Sequence, residues 1–103
     1  MGKTVIYRWG SCSNANLTPR ERDTTGLSFS LTKPGKGKYV VSTIEAVNST
    51  DQLIAINDHA NHVSVFPSDM SEMPEWIESR PNAKNNPHKL TELLKSVTSE
   101  GRE

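Results

Sequence analysis

A single cysteine, Cys12, is all the thiol chemistry that this chain of 103 residues possesses. One cysteine excludes an internal disulfide framework and any zinc site built on paired cysteines. It lies in the polar run Gly10-Ser11-Cys12-Ser13-Asn14, far in sequence from His59, His62 and His88, the histidines that could hold it as a thiolate. It reads as an unpaired thiol in a loop. No stretch approaches the roughly 20 apolar residues that cross a bilayer. The opening Met-Gly-Lys-Thr-Val-Ile has too short an apolar run for a signal peptide, and Ile6 stands where a myristoylation motif asks for Ser or Thr. Membrane attachment and export are therefore not expected, and the cytoplasm is the expected compartment. Aromatic residues are scarce, two each of Trp, Tyr and Phe, so paired aromatic platforms for stacking RNA bases are not expected on adjacent strands. The Walker spacing GxxxxGK[ST] is absent as well.

Net charge is also lacking, but only in the total. Residues 1–40 hold seven lysines and arginines against two carboxylates, whereas residues 41–103 hold five against ten. Such a division can give a fold one basic face or draw its two halves together, and it supplies a steering surface for a protein partner.

What is present is a regular pattern of short apolar runs at 33% apolar content, enough for one domain of α+β class. Thr4 to Trp9 reads as a strand, and Leu27-Ser28-Phe29-Ser30-Leu31 alternates cleanly as a half-buried one. Tyr39 to Thr43, Gln52 to Ile56 and His62 to Phe66 complete about five strands, the last two joined by the hairpin-like Asn57-Asp58-His59-Ala60-Asn61. Ser42 with Glu45 fits a capping box before a short helical turn. Met73, Trp76 and Ile77 mark a short helix, and Leu90, Leu93, Leu94 and Val97 a final one, capped by Asn86 with Pro87 at its first position. Gly101-Arg102-Glu103 reads as a frayed end. The expected fold is a small twisted antiparallel or mixed sheet packed by two short C-terminal helices, ordered over about residues 4–98. Leu27, Phe29, Val63, Val65, Trp76 and Leu93 are expected in one core.

Candidate site residues are few, and none is assigned a catalytic role. If the first two strands are neighbours, Arg8 could share a polar face with Ser28 and Ser30, its rigid fork gripping an anion while a hydroxyl orients it or a ribose. Arg20, Arg22 and Lys36 are candidate phosphate contacts, the last in the basic loop Lys33-Pro34-Gly35-Lys36-Gly37-Lys38. A module acting on RNA would use His62, Arg20, Arg22 and that loop as acid–base and phosphate-binding groups. Asp58, His59 and His62 lie close together, but zinc asks for three or four ligands and no second cysteine exists, so no metal is expected. Asp58 and Asn61 are read as turn residues, with His59 exposed and His62 opening the next strand.

Tyr7-Arg8 followed by Ser28-Phe29-Ser30 resembles the arginine and Ser-x-Ser/Thr pair of the arginine–serine–glutamate class of ADP-ribosyltransferases. The order Leu17-Thr18-Pro19-Arg20, Gly26-Leu27-Ser28 and His62 to Pro67 before a terminal helix is similar to small C-terminal modules of bacterial polymorphic toxins. The first resemblance implies NAD as ligand, with Arg8 on a phosphate or ribose, the serines bracing the nicotinamide, and a later glutamate steering ribosyl transfer. No Glu-x-Glu or Gln-x-Glu occurs where that glutamate belongs, and only Glu72 and Glu75 directly follow the last expected strand. Without the resemblance, the reading is a noncatalytic protein-interaction or regulatory module with no cofactor.

Overall fold

The computed structural model describes residues 3–102, so Gly2, the residue a myristoyl group would need, and Glu103 lie outside the described residues. Six strands form one sheet: β1 (Val5–Trp9), β2 (Leu27–Ser30), β3 (Lys38–Thr43), β4 (Leu53–His59), β5 (His62–Pro67) and β6 (Ser99–Arg102). Their order across the sheet is β4-β5-β2-β1-β3-β6, and every neighbouring pair is antiparallel. The helices are α1 (Ile44–Asn48), α2 (Met73–Glu78) and α3 (Lys89–Ser96), with single 3₁₀ turns at Met70–Glu72 and Arg80–Asn82. The expected α+β class holds, with a purely antiparallel sheet and one strand more than expected. That strand is β6, in the segment read as frayed. Its residues carry no apolar pattern, and it exists because backbone groups of Lys38–Val41 were free to pair with it. Gly101 permits this pairing, since a Cβ there would overlap the Tyr39 ring.

One sheet face carries Ile6, Leu27, Phe29, Val40, Ala55, Val63 and Val65, and the helices cover it with Val47, Met73, Trp76, Leu90 and Leu94. Five of the six expected core residues are buried there, while Leu93 packs half-buried against the cluster and Leu90 and Leu94 take the deep positions. Both helix starts differ from expectation. Thr43, not Ser42, caps α1 by accepting from the Ala46 amide, and Ser42 instead donates to the Val97 carbonyl. His88 caps α3 through Nδ1, accepting from the Leu90 amide, two residues beyond Asn86. Among the described residues, no helix is long and apolar enough to cross a membrane.

The segment 10–26 has almost no regular structure yet is anchored in the core. Leu17 and Thr18 are buried, and Thr18 joins a chain of hydroxyls. Trp76 Nε1 donates to Thr91 Oγ1 at 2.8 Å, and the Thr91 and Thr18 hydroxyls are hydrogen-bonded at 2.7 Å. Thr18 Oγ1 in turn donates to the Asn14 carbonyl at 2.7 Å, so the Thr91 hydroxyl is the donor to Thr18. The buried hydroxyls of Thr18 and Thr91 and the indole N–H of Trp76 are thereby satisfied. At the end of the segment Gly26 has φ +120°, and a Cβ there would overlap the Val65 carbonyl oxygen.

Two substitutions test this core. Trp76→Ala should lose about 3–5 kcal/mol in urea unfolding, because it empties a buried aromatic site. Thr91→Val, which keeps the shape but removes the acceptor from Trp76 Nε1, should lose about 1–3 kcal/mol. A Thr91→Val loss indistinguishable from zero would show that the hydroxyl chain contributes nothing.

Candidate functional site

The alternation of β1 and β2 decides where the expected site residues go. Tyr7 pairs with Ser30, so the side chains of Tyr7, Trp9, Ser28 and Ser30 occupy the open sheet face. Arg8 alternates with Tyr7 and shares the helix-covered side with Ile6. The two strands are neighbours as expected, but Arg8 and the two serine hydroxyls point to opposite faces. Arg8 contacts β2 only through its backbone: Nη1 donates to the Ser28 carbonyl at 2.9 Å, and Nε donates to the Asn16 carbonyl at 3.0 Å. Burial lowers the Arg8 pKa; Asp23 opposes that shift, and the nearby charges of Arg20 and Arg80 add to it. Arg8 thus braces the start of the 10–26 segment.

Beside it opens a cleft of about 950 Å³, lined by Arg20, Glu21 and Thr24 on one wall and by Ile77, Glu78 and Arg80 on the other. Ala15, Pro74 and Pro81 complete it. Its walls are the segment held by Thr18 and the helix held by Trp76, so the buried hydroxyl chain sets its width. Arg80 Nε is buried without a hydrogen-bond partner among the described residues. A buried guanidinium nitrogen left unpaired is costly, and the residue that carries it lines this cleft with Arg20. Arg80 and Glu78 were not singled out in the sequence; an arginine just after a short helix and just before a proline gives no signal of its own.

The remaining candidates scatter. Arg22 is exposed, and Lys36 shares with Trp9 a shallow depression on another part of the surface. Glu72 pairs with Lys89 at 2.7 Å, and Glu75 lies 3.6 Å from His88 Nε2, so neither lines the arginine cleft. Cys12 Sγ lies 3.3 Å from Thr98 Oγ1, half-buried against the core.

The open face contains two further arrangements. Trp9 pairs directly with Tyr39, and Tyr7 meets Tyr39 edge-on with ring centres 5.7 Å apart. Lys33 Nζ sits 5.6 Å over the Tyr39 ring, and Trp9 is 73% exposed. Aromatic pairing on adjacent strands, not expected from the sequence, is therefore present. It was illegible because Trp9 and Tyr39 are separated by the whole of β2. Across β2 and the hairpin, Ser28 Oγ lies 3.1 Å from His62 Nε2, and His62 Nδ1 lies 2.6 Å from Asp58 Oδ1. Ser64 Oγ donates to Asp58 Oδ2 at 2.6 Å. The order of groups is that of a serine–histidine–aspartate relay, but Ser28 is exposed to solvent rather than sheltered from water. As read from the sequence, His62 opens β5 and His59 is exposed.

Compared with protein-family models, with curated proteins and with solved structures, the chain matches none.

The hydrogen bonds from Ser64 and then His62 bring the Asp58 pKa from its ordinary 3.8 to about 2. A carboxylate with a depressed folded-state pKa contributes stability above its ordinary value and loses that contribution as pH falls through about 2. Carboxyl NMR titration should therefore show Asp58 still ionised near pH 3. Ser64→Ala should move its midpoint upward, and an unchanged midpoint would show that Ser64 does not hold the carboxylate.

Proposed function

We propose that this domain is a noncatalytic, regulatory module that binds a nucleotide in the cleft between the 10–26 segment and α2. The observation that carries the reading is the buried, unpaired Arg80 Nε in a cleft it shares with Arg20. Two guanidinium groups suit a phosphate, whose oxygens accept paired hydrogen bonds from each planar fork. Glu21 and Glu78 would accept hydrogen bonds from ribose hydroxyls or a base amino group, and Pro74, Ile77 and Pro81 offer an apolar wall for a base. A cleft near 950 Å³ is ample for a ligand of that size. No Ser, Cys or His is among the lining residues, so no serine–histidine or cysteine–histidine pair adjoins the bound ligand.

One observation favours a second reading, ADP-ribosyl transfer from NAD. The carboxylate of Glu78 shares the cleft with two arginines and could stabilise positive charge developing on the ribosyl carbon, the role that the resemblance assigns to a later glutamate. Ser28 and Ser30 have no part in it, and Arg8 would act only by bracing the wall that carries Arg20.

Calorimetric titration with ADP, NAD and adenosine separates these readings. ADP and NAD should bind saturably and adenosine at least tenfold more weakly, with Arg80→Ala and Arg20→Ala each losing tenfold or more while remaining folded. Equal affinity for adenosine, or unchanged affinity in both variants, would remove the cleft as the site. Release of nicotinamide from NAD, abolished in Glu78→Gln, would replace the noncatalytic reading with the transferase one.

A further inference from the structure

The hairpin joining β4 and β5 departs from regular pairing. Ile56 pairs with Ser64 and Asn57 with Val63, so regular register would set Asp58 opposite His62. Instead His59 pairs with His62, and the register shifts by one residue between Asn57 and His59. The extra residue is a β-bulge, a device that re-aims side chains. In an unbroken strand Asp58 and His59 would face opposite sides. With the bulge, both come to the side of His62. Ala60, in left-handed conformation at φ 39°, closes the two-residue turn, and Asn57 Nδ2 ties it by donating to the carbonyls of Ala60 and His62.

Three ligand types thus converge. His62 Nδ1 and His59 Nδ1 lie 2.6 Å and 3.3 Å from the same oxygen, Asp58 Oδ1. One ligand atom from each of the three residues lies within 4.8 Å of the others. Tetrahedral zinc with bonds near 2.0–2.1 Å separates its ligand atoms by about 3.3 Å. The His59 spacing already meets that value, and the His62 spacing must open by about 0.7 Å. The two imidazole rings are stacked, 14° from parallel, so the His59 ring must turn to aim its nitrogen, which a side chain 72% exposed is free to do.

A second layer is in place behind the first. Ligating histidines commonly donate their other ring N–H to a fixed partner, which sets the tautomer and the ring orientation. Ser28 Oγ stands 3.1 Å from His62 Nε2 in that position. The Asp58 oxygen turned away from the histidines, Oδ2, accepts from Ser64 Oγ. Ser28 and Ser64 are themselves register partners on β2 and β5, so a single cross-strand pair supports two ligands.

We propose that Asp58 Oδ1, His59 Nδ1 and His62 Nδ1 form a three-ligand site for a borderline divalent cation, zinc by preference, with Ser28 and Ser64 as the supporting layer. The metal takes the place of the direct contacts between the carboxylate and the imidazoles. Three protein ligands leave the fourth tetrahedral position to solvent or to a donor from outside the chain. The ligand count along the sequence argued against a metal, because sequence spacing does not reveal a bulge. This site lies on the hairpin and is independent of the arginine cleft.

The test is calorimetric titration of the whole chain with Zn²⁺ alone, with NMR to locate the affected residues. Binding of one ion per chain is expected, with shifts concentrated in residues 57–64. His62→Gln should weaken it at least 100-fold and His59→Gln at least tenfold. Ser28→Ala and Ser64→Ala should each weaken it 10–100-fold without removing a ligand, the readout specific to the supporting layer. His59→Gln changes an exposed side chain, so it is decisive even if another variant fails to fold. Absence of saturable binding, or equal affinity in His59→Gln and the parent chain, would overturn the proposal.

Discussion

The hydrogen-bonded line from Trp76 through Thr91 and Thr18 to the Asn14 carbonyl holds this small domain's irregular part to its regular part. Its members come from α2, α3 and the 10–26 segment, and only two of those are helices. A segment with little regular structure has few backbone hydrogen bonds of its own, so its position depends on side chains. Thr18 and Leu17 provide that position by burial, and Arg8 secures its start through Asn16. Because the line is buried, each bond in it is worth keeping: an orphaned donor in the interior has no water to turn to. The arginine cleft is a consequence, since its two walls are the elements that this line ties together.

The second constraint is that all helices lie on one side of the sheet. That leaves a long open face on which Tyr7, Trp9, Tyr39, Ser28, Ser64 and His62 stand at alternate positions of four strands. The protein therefore has two chemically different surfaces. One is the arginine and glutamate cleft beside the helices. The other is a sheet face with an aromatic–lysine corner at β1 and β3 and a histidine–carboxylate corner at the β4–β5 turn. The proposed nucleotide binding at the first and the proposed cation binding at the second make separate demands on the fold. The cleft requires the hydroxyl line, whereas the hairpin corner requires only the bulge and the Ser28–Ser64 pair.

Arg8 shows how a residue can attract the right attention for the wrong reason. It is a strand-mounted arginine beside a serine-bearing strand, as the sequence suggested, and its neighbourhood does contain further arginines. Its Nε and Nη1, however, donate to Asn16 and to the Ser28 carbonyl, and the buried unpaired Nε belongs to Arg80. The expected glutamates behave alike: Glu72 and Glu75 are turned toward Lys89 and His88, while Glu78, one helical turn beyond Glu75, reaches the cleft. Residues three apart share one helix face, so Glu75 and Glu78 are separated by their place along the helix axis rather than by its rotation.

By itself the sequence determined the α+β class, the five apolar strands, the two C-terminal helices and nearly all of the core, because period-2 and period-3.6 burial patterns are local properties of the chain. It also determined that a hairpin precedes β5 and that β5 opens at His62, although Asn57, Asp58 and His59, read as part of the connection, belong to β4 and leave a two-residue turn. Tertiary structure alone decided the rest. The strand β6 formed from residues with no apolar pattern because an edge of β3 was available to pair. Arg8 and Ser28 parted because strand register, not proximity, assigns side chains to faces, and a shift of one residue reverses the assignment. Trp9 met Tyr39, Arg20 met Arg80, and a one-residue bulge brought His59 to the side of Asp58 and His62. Each of these depends on register or on packing between segments distant in sequence or offset by a single residue, and a linear pattern carries no record of either.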